Sequence, residues 1–183
     1  MRDHHYIRNM VLTALFIAAG IMLPSFFHFL GAGATFLPMH LPVLVCGFVC
    51  GWQWGLLCGA VLPLLSSMLT GMPPLYPMAI SMVFELAAYG FLSGWLLPRC
   101  SVRRGGLYLA LIAAMLGGRL VSGAARLILF GLAGMPFGWQ IFISGAFITG
   151  LPGILLQLAL VPPLTVAIHK LLALGYLQAY GKN

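Results

Sequence analysis

The run from Gly71 to Gly94 is apolar, is entered through three prolines and carries a single acid, Glu85. A segment of this length can cross a bilayer as a helix, which takes ~20 residues. A charged side chain inside such a segment is costly and usually marks a functional site, so it needs a named partner. Glu85 is also the only acidic residue after Asp3. The fold must therefore bring a cationic group to Glu85 within the membrane.

The composition excludes a soluble domain. Hydrophobic residues make up 62% of the chain and charged residues 6%, whereas soluble domains have about 25% charged residues. We therefore expect an all-α membrane protein with one transmembrane domain that spans residues 1–183. The net charge of +7 does not indicate nucleic-acid binding, because the basic residues are scattered between apolar runs instead of clustering on one face.

The apolar runs predict six transmembrane helices. The first run is too long for a signal peptide and is expected to be a retained helix. The region 39–70 is interrupted at Gly51–Gly55 and predicts two antiparallel spans joined by a tight turn, one of which is broken, tilted or below the membrane surface. In the last region, a short lead-in element should precede a helix kinked by its prolines. The six spans are expected in Met10–Leu30, Met39–Thr70 (two spans), Tyr76–Leu97, Gly106–Phe130 and Ile141–Leu174.

The basic residues predict the orientation. With six spans, seven of the nine fall on one side of the membrane, and the three long loops on the opposite side contain no charged residue. Because basic residues mark the cytoplasmic side, both termini are expected in the cytoplasm. The seven are Arg2, Arg8, Arg99, Arg103, Arg104, Lys170 and Lys182.

The other two basic residues, Arg119 and Arg126, lie within the fifth span. They are seven positions apart and share one helical face. At a rise of ~1.5 Å per residue, Glu85 lies roughly 13 Å below the outer end of its span, Arg126 roughly 6 Å and Arg119 roughly 17 Å. A carboxylate between two guanidiniums satisfies all three groups. We expect these three residues to form one cluster with net positive charge.

Two interpretations of this cluster stay open at this point. One is a purely structural ion-pair network, and the other is a polar site for a small solute that enters from outside. The excess positive charge favours the solute site, because a structural network needs only one pair. Three further residues are candidates for the same site: His40, Tyr89 and Gln157.

Enzymatic and metal-binding signatures are absent from the sequence. There is no GxxxxGK[ST] phosphate loop, no HExxH motif and no GxSxG elbow, so we expect neither an enzyme nor a cofactor in this chain. Cys46 and Cys50 have the spacing of one helical turn, but no further ligand cluster is near them. We interpret them as helix-packing residues and expect no metal site.

Three patterns carry a family resemblance. They are the small-residue pair Ala14-xxx-Ala18, the stretch FLPMHLPVLVCGF from Phe36 to Phe48, and the run from Gly71 to Gly90 that contains FELAAYG. With the chain length and the six spans, they make the chain resemble the substrate-binding S components of energy-coupling-factor (ECF) vitamin transporters. No thiamin- or biotin-type motif is recognisable.

The resemblance implies a function and partners. Such S components sit in the prokaryotic plasma membrane and bind one vitamin or related micronutrient from outside. They dock on a transmembrane coupling protein, the T component, which sits on two ATPase subunits, and they topple in the membrane to release the solute inside. ATP is then used by the partners and not by this chain. The docking role falls on Ala14 and Ala18.

The resemblance also implies outer gating loops over the site, around 31–38 and 71–76. The gating residues would be Pro38, Met39, Met72, Pro73 and Tyr76.

The solute is expected to carry a carboxylate, a phosphate-like group or several acceptor atoms, as in the pantothenate and pyridoxine classes, although a neutral polar heterocycle also fits. The alternative functions are a membrane receptor or assembly protein without ATPase partners and, ranked lower, an intramembrane enzyme.

Overall fold

The computed structural model describes residues 2–29, 38–100, 105–134 and 150–180, together with the single positions 138, 140 and 144. Within these ranges the chain is almost entirely helical and contains no strand. The all-α prediction is thereby confirmed for the described part of the chain. The loop before His40, the polar stretch 101–104 and the predicted lead-in to the last helix lie wholly or largely outside it.

Six α-helices make up most of the described ranges. A single wide turn, Leu75–Ala79, precedes the fourth of them; it is closed by a 2.9 Å hydrogen bond from the Ala79 N–H to the Pro74 carbonyl oxygen and is extended at Tyr76. Five of the six are long and apolar enough to cross a membrane, whereas the second has only 11 residues. The helices are α1 (Arg2–Phe29), α2 (His40–Cys50), α3 (Trp52–Thr70), α4 (Ile80–Leu96), α5 (Gly106–Leu132) and α6 (Leu151–Tyr180).

The region 39–70 contains two helices, as predicted, but the turn between them lies elsewhere. α2, at ~1.5 Å per residue, is too short to cross the ~30 Å of hydrocarbon. The expected turn at Gly51–Gly55 is wrong, because Gly51 alone separates the helices and Trp52 is already helical. The physical reason is that Gly51 adopts φ 93°, a conformation that a residue without a Cβ reaches at little cost.

The first and last of these helices, α1 and α6, also extend beyond their predicted bounds. α1 begins at Arg2 instead of near Met10, and α6 continues as one helix past Pro162 and Pro163 to Tyr180. The number of membrane crossings and the cytoplasmic position of both termini stay predictions.

α2 is an interior helix. Ten of its eleven residues are buried, and it packs against α1, α3, α4 and α6. An apolar helix that is buried on all sides belongs to the core of the bundle. Its two cysteines, Cys46 and Cys50, are buried, and the Cys46 sulfur lies 3.7 Å from the Thr13 hydroxyl oxygen. The N-terminal end of α2, at His40, is thereby held inside the protein.

Glycines let α4 approach its neighbours closely. A Cβ added to Gly90 would overlap the carbonyl oxygen of Gly55 in α3, and one added to Gly47 in α2 would overlap the Ser93 hydroxyl and the Gly90 carbonyl. Small residues at such crossings allow backbone-to-backbone packing. α4 is thus fixed against α2 and α3 and also packs against α5, so the side chains of these helices meet at defined positions.

Candidate functional site

Glu85 lies on the buried face of α4, which begins just after the wide turn Leu75–Ala79. Its side chain is only 2% exposed, and Ser81, Tyr89 and Ser93 on the same face are completely buried. The i, i+4 spacing from Ser81 through Glu85, Tyr89 and Ser93 places all four on one side of the helix. The only acid after Asp3 therefore points into the bundle and not toward lipid.

Four side chains surround the Glu85 carboxylate. The Nε2 atom of His40 lies 3.4 Å from Oε1, and Arg119 Nη1 lies 3.8 Å from the same oxygen. On the other oxygen, Oε2, Ser122 Oγ donates a hydrogen bond of 2.7 Å and Arg126 Nη2 lies at 3.6 Å. The predicted cluster of Glu85 with both arginines is thus present, and His40 belongs to it. We call these five residues the charged cluster.

Sequence reasoning missed Ser122. The signal was available, because Ser122 lies three residues after Arg119 and four before Arg126, which places all three on one face of α5. That face packs against α4. Serine is common in apolar helices, however, so Ser122 alone does not indicate a site. It becomes a candidate only when the two arginines on its face are known to contact a carboxylate.

The distances indicate ion pairing and not tight hydrogen bonding. Both guanidiniums approach Glu85 at more than 3.5 Å, whereas charge-assisted N–H···O bonds are usually 2.7–2.9 Å long. Arg119 is only 8% exposed, so its charge lies in a medium of low dielectric. One carboxylate therefore faces two guanidiniums, that of the buried Arg119 and that of Arg126, whose side chain is 30% exposed.

The N-terminus of α2 adds to this positive potential. α2 begins at the buried His40, and among the described residues no side chain makes a capping hydrogen bond to it. The first N–H groups of a helix carry partial positive charge and favour anions. The charged cluster and the helix terminus therefore point to an anionic group as the species this site can accept.

Tyr89 packs against His40 of the charged cluster. Both are buried, and their rings meet edge to face with centroids 5.1 Å apart. This contact orients the imidazole so that Nε2 faces Glu85. The Nδ1 atom of His40 is buried and has no hydrogen-bond partner among the described residues. The structure thus brings both sequence candidates to the cluster.

Gln157 lies on α6 and makes no hydrogen bond to the charged cluster within the described residues. Its side chain is 1% exposed, and its amide nitrogen has no partner there. It belongs to a buried stripe on α6 at four-residue spacing: Gly153, Gln157, Val161 and Thr165. α6 packs against α2 and α5, the helices that supply His40 and the arginines.

The predicted gating residues have different environments. Pro38 and Met39 are buried where the chain enters α2, while Met72 is exposed and Pro73 half-buried. Tyr76 is 48% exposed, and its hydroxyl donates a 3.2 Å hydrogen bond to the carbonyl oxygen of Leu129 in α5. The wide turn before α4 is thereby joined to the end of α5. Residues 31–37 of the other predicted gate lie outside the described part of the chain.

Ala14 and Ala18 lie on an exposed face of α1. Both are exposed, together with Ile7, Val11 and Met22 on the same side of the helix. The opposite side packs against α2 and α3 and includes the buried Thr13. The small-residue pair is therefore open to lipid or to a partner helix.

Comparison with known proteins identifies the family. The family model described as ECF transporter, substrate-specific component, matches residues 8–165. No curated protein and no solved structure matches the chain. The matched part contains α2 to α5 whole, most of α1 and the first half of α6, and so includes the charged cluster. Members of this family are substrate-binding subunits of transporters and not enzymes. This multi-pass membrane protein belongs to the family of substrate-specific components of ECF transporters.

Proposed function

We propose that this chain captures a micronutrient from outside the cell and that the solute binds at the charged cluster. The observation that carries the proposal is the excess of positive charge around one buried carboxylate. A structural network would need one arginine for one glutamate, whereas two guanidiniums face Glu85 here. An anionic group on the solute would balance the second guanidinium.

The chemistry of the cluster selects the class of solute. Guanidiniums bind carboxylates and phosphate-like groups in planar geometry with two hydrogen bonds. Lengthened ion pairs to Glu85 leave room for the guanidiniums to turn toward a second anion. We therefore infer a vitamin-sized solute with a carboxylate or phosphate-like group, of the pantothenate or pyridoxine class.

The transport step is assigned to partner chains. A T component and two ATPase subunits would supply the coupling and the ATP hydrolysis, and the S component would topple in the prokaryotic plasma membrane to release its solute into the cytoplasm. The docking face would be the side of α1 that carries Ala14 and Ala18. Small residues there allow close approach of another helix, and both are exposed in the isolated chain.

The wide turn before α4 would act as the outer gate. Tyr76 holds this turn to α5 through a single hydrogen bond from an exposed hydroxyl, which is a contact that can open without disturbing the core. Met72 and Pro73 lie in the connecting loop, and Pro38 and Met39 lie where the second gate would join α2.

The test is native mass spectrometry of the purified chain. A small molecule in the vitamin mass range that co-purifies with the wild type would support the proposal and identify the solute class. A clean spectrum that stays unchanged after incubation with a vitamin panel would contradict it and favour the structural interpretation of the cluster.

A membrane receptor or assembly protein without ATPase partners is the competing class. Affinity purification of the tagged chain from its native membrane separates the two. Recovery of a T component with two ATPases supports the transporter, whereas binding of a solute without these partners would favour the receptor.

A further inference from the structure

Nδ1 of His40 and Nε2 of Gln157 are buried and have no hydrogen-bond partner among the described residues. Both residues are at most 2% exposed. Burying a donor or acceptor without a partner is costly, and native proteins rarely keep such atoms without a reason. In a substrate-binding protein, a bound solute can supply partners for such atoms.

His40 offers an acceptor. Its Nε2 atom faces the Glu85 carboxylate at 3.4 Å, and a carboxylate oxygen can only accept, so Nε2 carries the hydrogen. In a neutral imidazole the other nitrogen is then a bare acceptor. The edge-to-face contact with Tyr89 holds the ring in this orientation. In the neutral ring, Nδ1 therefore requires a hydrogen-bond donor.

Gln157 offers a donor. It lies two turns into α6, at a depth of ~9 Å from Leu151 by helical rise, on the stripe that packs against α2 and α5. These two helices supply His40 and the arginines of the charged cluster. The amide nitrogen of Gln157 donates two hydrogens and therefore requires an acceptor, such as a carbonyl oxygen or a ring nitrogen.

We propose that His40 Nδ1 and the Gln157 amide contact the uncharged part of the solute, which therefore carries a hydroxyl or N–H donor and a carbonyl or ring-nitrogen acceptor beside its anionic group. This inference rests on the solute site proposed above and narrows it. A simple anion such as butyrate meets only the arginines and leaves both nitrogens unpaired. Pantothenate has a carboxylate, hydroxyl donors and an amide carbonyl, and 4-pyridoxate has a carboxylate, hydroxyl donors and a ring nitrogen.

The first arm of the test compares probes on the wild-type protein in detergent by thermal shift and titration calorimetry. Pantothenate or 4-pyridoxate should raise the unfolding temperature, while butyrate and panthenol, the neutral alcohol analogue of pantothenate, should leave it unchanged. Equal binding of butyrate, or binding of neither of the two acids, overturns the proposal.

The second arm uses Gln157→Leu, an apolar side chain of similar size. If the amide is kept for the solute, the empty variant should unfold at the same or a higher temperature than the wild type, because an unpaired buried donor has been removed. Its affinity for the acid that binds the wild type should fall at least tenfold. A lower unfolding temperature with unchanged affinity would assign the amide to the structure and overturn the proposal.

Thr165→Val is the matched control. Thr165 is on the same buried stripe, also has an unpartnered polar atom among the described residues, and lies ~12 Å further along α6. It should match Gln157→Leu in stability and keep wild-type affinity. His40→Gln retains an N–H toward Glu85 but removes the Nδ1 acceptor, and it should weaken binding of the same acid at least tenfold.

The two proposals fail in different ways. If a solute co-purifies with the wild type but is retained equally by Gln157→Leu and His40→Gln, the donor and acceptor assignment is wrong and the transport function stands. If no solute co-purifies and no vitamin of the panel binds, the proposed solute site itself has failed.

Discussion

At the scale of single residues, Ser122 is the group that fixes the Glu85 carboxylate. It donates a short hydrogen bond, 2.7 Å to Oε2, whereas both arginine nitrogens lie more than 3.5 Å from the carboxylate. A neutral donor thus sets the position of the carboxylate, and the two guanidiniums lie at longer range. This arrangement is compatible with the solute site proposed above.

Ser122→Ala should lower the stability of the protein. It leaves one oxygen of a buried carboxylate without its hydrogen bond, which typically costs about 1–3 kcal/mol. Thermal unfolding of the detergent-solubilised protein measures this. Ser93→Ala is the control, because the Ser93 hydroxyl bonds only the carbonyl of Gly90 on its own helix, at 3.1 Å, and its loss should cost less. Equal losses for the two variants would deny Ser122 a special role.

Arg126→Gln should weaken solute binding. It removes the cation at 3.6 Å from Glu85 and with it the excess positive charge, so an anionic group would lose one ion pair. Charge-assisted hydrogen bonds contribute about 1.5–3 kcal/mol, which is roughly a 10- to 100-fold change in affinity by calorimetry. Arg99→Gln is the control, because Arg99 is exposed and stacks on Trp95. Unchanged affinity in Arg126→Gln would make its pairing with Glu85 purely structural.

At the scale of the elements, the crossing of α3 and α4 determines where Glu85 points. Gly55 and Gly90 face each other with no room for a side chain on either. Rotation or separation of α4 at this point would move the carboxylate away from α5. The glycines therefore position the site without touching it.

Gly90→Ala should strongly destabilise the fold. The added Cβ would overlap the carbonyl of Gly55, a backbone atom that cannot move unless α3 moves with it. Overpacking of this kind typically costs 1–3 kcal/mol or more. The measurement is the unfolding temperature and the yield of monodisperse protein. Gly131→Ala is the matched control, since nothing lies within 4 Å of its Cβ position and alanine favours the helix there. A tolerated Gly90→Ala would contradict this packing.

At the scale of the whole molecule, the proposed solute site and the proposed docking face lie in different places. The interior between α2, α4 and α5 holds the charged cluster, and the exposed side of α1 holds the small-residue pair. α1 packs on α2 and α3, so a change on its outer face does not reach Glu85. Solute binding and partner docking should therefore be separable by mutation.

The double variant Ala14→Leu with Ala18→Leu should bind solute normally and fail to transport it. Bulky side chains on the exposed face would keep a partner helix at a distance, whereas the buried cluster is untouched. Uptake by cells that also express the T component and ATPases is the readout, with calorimetry for binding. Ala159→Leu with Ala167→Leu is the control, because these alanines are also exposed, on α6. Normal uptake by the first variant would place docking elsewhere.

The sequence by itself determined the membrane class, the helical fold and the meeting of Glu85 with Arg119 and Arg126. The first two follow from local composition. The third follows from the cost of a charge in an apolar segment, which requires a partner of opposite charge. Only the tertiary structure decided that α2 is interior, that Gly51 alone is the turn, and that Ser122 bonds the carboxylate. It also revealed the unpartnered nitrogens of His40 and Gln157. These features depend on which faces of the helices meet. In a largely apolar chain, no pattern of polar and apolar residues shows which face of a helix is buried.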